Sequence, residues 1–278
     1  MSEPAGVGAR CEGVVHIYPG SGEGLEDVVA LRGIDLEVDP GEFVSLLGPS
    51  GSGKSTVLGL FAGMLRPSAG RVLIGRHDVS RMTPRSLARL RGSVVALVLQ
   101  NPSRNLLPYA TVAQNLAFAA GPSGRSSEEL LESLGLAGLA DRVTGQLSDG
   151  EQQCVAIAAA LSSGARLVLA DEPTSQLDAI SRERVMDLLA QVHAEFRRTV
   201  VLVTHDSSVA ARSLRTVTIR DGRVGSEGVH GHEYAVVGRD GTLQLPPELS
   251  EEFPPGTLLG IRRDGREIKL IPRSEEPS

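Results

Sequence analysis

The spacing of apolar residues along this chain of 278 residues changes period several times, and each change marks an element. Glu42-Phe-Val-Ser-Leu-Leu47 is a short, mostly apolar run that predicts a buried strand. Beyond a glycine-rich break, Val57-Leu-Gly-Leu-Phe-Ala-Gly-Met-Leu65 spaces its apolar positions as a helix does and stops before Pro67. Leu167-Val-Leu-Ala170 predicts another strand, closed by Asp171, Glu172 and Pro173. A further apolar run, Val201-Leu-Val-Thr204, ends at His205. Between Gln100 and Leu147 lies a compact helical insert, and no heptads are sustained anywhere. Strands interleaved with helices predict an α/β domain.

After Asp221-Gly-Arg-Val224 the pattern changes character. Ser226-Glu-Gly-Val-His-Gly-His232 reads as a linker, with His230 and His232 as linker residues rather than metal ligands. From Tyr234 to Pro272 apolar residues alternate around Asp240-Gly241 and Asp264-Gly265, dipeptides favoured in tight hairpin turns. Between them, Leu245-Pro-Pro-Glu-Leu249 predicts a short helical turn. The expected organisation is a domain over residues 1–225, a linker over 226–233 and a small β-rich domain over 234–273.

The break after the first strand carries chemistry. Gly48-Pro-Ser-Gly-Ser-Gly-Lys-Ser55 matches Gly-x-x-x-x-Gly-Lys-Ser, the phosphate-binding loop. Placed between a strand and a helix, its backbone N–H groups and the helix N-terminus aim at an anion. The candidate nucleotide-binding residues are therefore Gly48, Ser50, Gly51, Ser52, Gly53, Lys54, Ser55 and Thr56. Among 28 basic residues, lysine stands only at 54 and 269. One of the two is kept where a compact ammonium must reach phosphates that the planar fork of arginine does not fit. In P-loop enzymes an acid at the end of a second strand holds Mg²⁺ together with the loop hydroxyl, which points to Asp171 and Ser55. Glu172, facing the other way, is placed to orient or deprotonate an attacking water.

Composition narrows the partners. The net charge of −6 and pI near 5.6 argue against broad electrostatic binding to nucleic acid or anionic lipid. Tryptophan is absent and aromatics make up 3%, which leaves little for base stacking. Cys11 and Cys154 form no framework and suit a reducing compartment. The N-terminal residues lack the basic and apolar regions of a signal peptide. The longest apolar runs, such as Val94-Val-Ala-Leu-Val-Leu99, are far too short to span a bilayer, so a membrane role has to come through a partner chain.

Further residues carry a family resemblance. Leu147-Ser-Asp-Gly-Glu-Gln-Gln153 resembles the Leu-Ser-Gly-Gly-Gln signature of ATP-binding-cassette (ABC) ATPases and lies shortly before the acid-closed strand, where that family has it. Tyr18 resembles the aromatic that stacks on adenine, and Gln100 the Q-loop glutamine. Ser175-Gln-Leu-Asp178 resembles the D-loop, and His205 the switch histidine. The resemblance spans roughly residues 11–225. It implies a P-loop NTPase core with a β-subdomain and a helical subdomain (about 101–160), with ATP and Mg²⁺ as cofactors. Glu172, His205 and Gln100 would serve catalysis, Gln100 also as a metal ligand, and Tyr18 and Asp178 would join the nucleotide site. The family works as a head-to-tail pair, so Ser148 and Gly150 would face a nucleotide held by the other chain. One P-loop and one signature imply a second ABC ATPase subunit, identical or paralogous.

The chain departs from the family pattern in three places. Asp149 stands where the signature usually has glycine, bringing a carboxylate near a triphosphate. Cys154 and Ala159 stand where relatives usually carry arginines. Two readings follow, a weakened composite site or drift that leaves Ser148, Gly150, Glu172 and His205 intact, and drift is preferred. Asn105-Leu-Leu-Pro-Tyr-Ala-Thr-Val-Ala-Gln-Asn-Leu116 is similar to transporter cassettes, in which the helical subdomain receives the membrane subunit. Thr83-Pro-Arg-Ser-Leu-Ala-Arg-Leu-Arg91 and Ala170–Asp178 look most like the lipoprotein-release and macrolide-export branch, ahead of amino-acid importers and of soluble ABC ATPases. The implied partners are integral-membrane permease subunits, with no nucleic acid. The implied place is cytoplasmic, peripheral at the inner face of the membrane. The tail resembles the AbrB-type swapped-hairpin domain. With six basic against ten acidic residues over 226–278, it is expected not to bind DNA but either to hold two copies together or to pack as a small β-appendage on its own cassette.

Overall fold

A computed structural model describes residues 6–20, 26–121, 126–229, 232–238, 241–245, 249, 252–254, 256–265 and 267–272. The chain runs β1 (Ala9–Tyr18), β2 (Val28–Val38), β3 (Phe43–Leu47), α1 (Lys54–Phe61), β4 (Ala69–Ile74), β5 (His77–Asp78), α2 (Pro84–Arg91) and β6 (Val95–Val98). It continues through α3 (Val112–Ala119), α4 (Ser127–Ser133), α5 (Asp149–Ser162), β7 (Leu167–Asp171), α6 (Ala179–Ala194), β8 (Thr199–Thr204) and α7 (Ser207–Ala210). Strands β9 (Arg215–Arg220), β10 (Arg223–Val229), β11 (His232–Ala235), β12 (Leu259–Asp264) and β13 (Glu267–Pro272) follow.

The main sheet has the order β11-β10-β9-β3-β8-β7-β6, parallel from β9 to β6 and closed at one edge by the antiparallel β10 and β11. Parallel strands are covered on both faces and so are apolar at nearly every position. Along β8, Val200 and Leu202 enter one core while Val201 and Val203 enter the other. The first core is closed by α3 to α6. The second is closed by α1 and by a separate antiparallel sheet of order β2-β1-β4-β5. The helical insert is pinned by Asn115, buried to 4% exposure. Its Oδ1 accepts from Leu107 N at 2.7 Å, and its Nδ2 donates to the carbonyls of Leu107 and Thr111.

Three sequence expectations are corrected. Helix α1 ends at Phe61 rather than Leu65, because Gly63 takes φ +61 and the N–H groups of Met64 and Leu65 both fold back onto Gly59 O. The stretch expected as a linker from 226 is strand over its described residues. Arg223–Val229 pairs with β9, and His232–Ala235 adds an edge strand. Arg215 accounts for part of this order, its guanidinium joining Glu227 on β10 at 2.8 Å and Glu42 beside β3 at 3.3 Å. Tyr234 therefore belongs to the main sheet rather than opening a separate unit. Further on, Val237 bridges Leu243, with Gly241 at φ +76; Asp240 lies outside the described residues. Strands β12 and β13 pair up to Asp264↔Glu267, with Gly265 at φ +61 in the turn. The helical turn expected over Leu245–Leu249 falls mostly outside the described residues.

Candidate nucleotide site

The ends of β3, β7 and β8 meet at one rim of the sheet, where an α/β fold collects its chemistry. Between β3 and α1 the chain turns tightly, and its glycines are required. At Gly48 a Cβ would stand 2.1 Å from Ile219 O. At Gly53, φ +103, it would stand 2.7 Å from Leu31 Cδ2 and 2.8 Å from Ala30 O. Gly51 sits in the turn at φ +79, beside an exposed Ser50. Lys54 opens α1 with its side chain folded into the loop, donating from Nζ to Gly48 O at 2.7 Å and Pro49 O at 2.8 Å. Burial holds its ammonium below the usual lysine range, against the opposing pull of Glu172 and Asp171. Among the described residues the buried Ser52 Oγ has no hydrogen-bond partner, an orphaned donor in a loop whose amides suit phosphate oxygens. Thr56 is buried and shares a 3.2 Å hydrogen bond with the Tyr18 hydroxyl. Tyr18 lies edge-on to His16 at 4.7 Å and keeps 40% of its surface exposed.

Ser55 donates to Asp171 Oδ1 at 3.0 Å, joining the loop to the end of β7. Burial raises the Asp171 carboxyl above the ordinary range, outweighing the Ser55 hydrogen bond that lowers it. A hydroxyl and a carboxylate side by side make a hard, sparse donor pair of the kind Mg²⁺ accepts when phosphates and water complete its shell. Glu172 follows in the left-handed region at φ +48. Its carboxylate receives His205 Nδ1 at 2.9 and 3.0 Å, so the ends of β7 and β8 converge on one acid–imidazole pair. Gln100, just past β6, donates from Nε2 to Ser175 Oγ at 3.0 Å, and Ser175 Oγ donates to Glu172 O at 3.1 Å. The sequence marks Ser175 only as the first residue of the D-loop-like run and gives its hydroxyl no role of its own. The signal was its place three residues after Glu172, the reach of one turn. Asp178 caps α6, accepting from the N–H groups of Ile180 and Ser181.

Among the described residues no hydrogen bond joins Ser148 or Gly150 to the phosphate loop. Ser148 caps α5 in a reciprocal box with Glu151, whose carboxylate accepts from both the Ser148 N–H and its hydroxyl at 2.9 Å. Gly150 is in close contact with α6, where a Cβ would stand 2.6 Å from Ser181. Asp149 is exposed on the first turn of α5 and faces a cleft with Gln100, Gln153 and Gln176. Cys154 and Ala159 are both buried, and burial raises the Cys154 thiol to about 11. Cys154 lines a cleft whose acids, Glu183 and Asp187, are both engaged by Arg212, a cation from another element.

A family profile described as "ABC transporter" matches residues 31–175. The chain is 43% identical over 204 residues to an uncharacterized ABC transporter ATP-binding protein of Thermotoga maritima, covering 71% of this chain and 86% of that one. It is 41% identical over 217 residues to the macrolide export ATP-binding/permease protein MacB of Hyphomonas neptunium, covering 76% of this chain and 33% of that relative. The chain thus spans about a third of the length of the MacB relatives it matches. Among solved structures, a dimeric ATP-binding cassette in a post-hydrolysis state bound to ADP and Pi aligns at TM-score 0.69 and 35% identity, covering 80% of this chain and 98% of that one. A Clostridium perfringens cassette, part of an ABC transporter complex, aligns at TM-score 0.69 and 28% identity over 79% and 87% of the two chains.

Proposed function

Because this chain belongs to the ABC transporter family, we propose that it binds and hydrolyses ATP with Mg²⁺ to drive an export permease. The observation that carries this reading is the meeting of Lys54, Ser55, Asp171, Glu172 and His205 at one rim of the sheet. The loop amides and Lys54 bind the β- and γ-phosphates, and Tyr18 supports the adenine. Ser55, Asp171 and the amide oxygen of Gln100 would hold Mg²⁺, which when bound neutralises charge on the phosphates. Glu172 takes up the proton of the attacking water, and His205 fixes the orientation of that carboxylate.

Ser148 and Gly150 complete the site of a second cassette, in the head-to-tail pair that the signature implies. The dimeric cassette among the structural relatives supports the pairing. The macrolide-export names of the sequence relatives support export. Among the described residues no helix is long and apolar enough to cross a membrane. The test is phosphate release by the purified chain with and without its permease, against Glu172→Gln. Activity no higher than that variant's would overturn the reading.

A further inference from the structure

We propose that Ser175 is a positioning residue for hydrolysis, whose hydroxyl couples the Gln100 side chain to the backbone of Glu172. The proposal rests on Glu172 acting as the base. Glu172 holds φ +48, a conformation that costs energy for any residue with a Cβ and persists only where its surroundings over-determine it. Both of its backbone groups are pinned. Its N–H donates to Val203 O on β8 at 3.0 Å. Its carbonyl receives Ser175 Oγ at 3.1 Å and Ser175 N at 3.3 Å. The same hydroxyl accepts Gln100 Nε2 at 3.0 Å. A single oxygen thus accepts on one side and donates on the other, which among small side chains only serine and threonine do.

The consequence is geometric. With its backbone held on both sides, the Glu172 carboxylate meets His205 Nδ1 squarely, both oxygens within 3.0 Å. A catalytic group displaced by about 1 Å loses on the order of a hundredfold in rate. Gln100 is the last residue of the sheet side before the helical insert, so a shift of that insert pulls on the hydroxyl that anchors the base. Ser175 itself is exposed, and its hydrogen bonds contribute little to folding. Their loss is therefore read in turnover rather than in melting.

Steady-state ATP hydrolysis by the full chain tests this with Ser175→Ala, Ser175→Thr, Gln100→Ala and the Gln100→Ala/Ser175→Ala pair. Ser175→Ala is expected to lower kcat about tenfold or more with KM for ATP within about twofold and the melting temperature unchanged. Ser175→Thr restores kcat to within about threefold, and the double variant is no slower than the slower single variant, because one linkage is broken in each case. Wild-type kcat in Ser175→Ala, no rescue by threonine, or losses that multiply in the double variant would each overturn the linkage while leaving Glu172 in place. Wild-type hydrolysis no faster than that of Glu172→Gln would instead remove the base reading, and the Ser175 role with it.

Discussion

Asp171 shows how one residue can trade stability for function. Burial lifts its carboxyl above the ordinary value, so the folded chain holds that proton more tightly than the unfolded chain does. Above both values the ionised carboxylate costs stability, and the cost fades as pH falls through the raised value. Asp171→Asn, neutral at every pH, is therefore expected to melt about 2 °C higher than wild type near pH 7.5 without nucleotide, while losing Mg²⁺-dependent hydrolysis. The difference in melting should close on acidification, and a variant that melts lower at pH 7.5 would contradict the burial argument. Lys54 gives a second case. Lys54→Arg keeps the charge but not the shape that fits the carbonyls of Gly48 and Pro49. ATP affinity, followed with a fluorescent nucleotide, is expected to fall at least about tenfold. Lys54, Asp171, Glu172 and His205 were legible in the sequence because each stands at the boundary of an element, Lys54 opening α1 and the other three at the ends of β7 and β8. The Gln100–Ser175–Glu172 linkage was not, since it depends on a turn that brings β6, β7 and the following loop together.

At the scale of elements, α5 joins two demands on one serine. Ser148 is both a helix cap and the residue that would face a partner's nucleotide, and the pattern Ser148-x-x-Glu151 carries the first role as plainly as the signature carries the second. The two roles separate experimentally. Ser148→Ala removes the cap and is expected to cost about 1 kcal/mol in urea unfolding. Ser148→Asn keeps a capping side chain and should unfold near wild type. Both should lose hydrolysis in the paired state, and an active Ser148→Asn would show that the cap alone matters. The departures in α5 also look milder in three dimensions. Cys154 sits in a core, and the acids of the adjoining cleft, Glu183 and Asp187, are exposed and already engaged by Arg212, so neither waits for the missing arginine. Sequence periodicity placed the strands well because parallel strands are apolar on both faces. It missed the end of α1 and the edge hairpin β10–β11, where a glycine conformation and an ion pair decide the outcome.

At the scale of the whole molecule, exposed apolar surface concentrates in the tail. Of the sixteen exposed large apolar side chains described, nine lie between Tyr234 and Ile271. In the β12–β13 hairpin, Ile261 pairs with Leu270 and Arg263 with Ile268 on one face, leaving Ile261 77% and Ile268 71% exposed. A two-stranded hairpin with an uncovered apolar face is marginal by itself. Strands β10 and β11 are different, because they complete the main sheet and carry Glu227, the partner of Arg215. A chain ended after Ala235 is therefore expected to melt within about 3 °C of the full chain, whereas one ended after Arg220 should fall by more than about 5 °C. If the tail holds two cassettes together, light scattering without nucleotide should give a dimer for the full chain and a monomer for the chain ended after Ala235. ATP should then pair the Glu172→Gln form of either length, since that interface belongs to the nucleotide site. A shortened chain that stays dimeric without nucleotide would move the contact from the tail to the cassette.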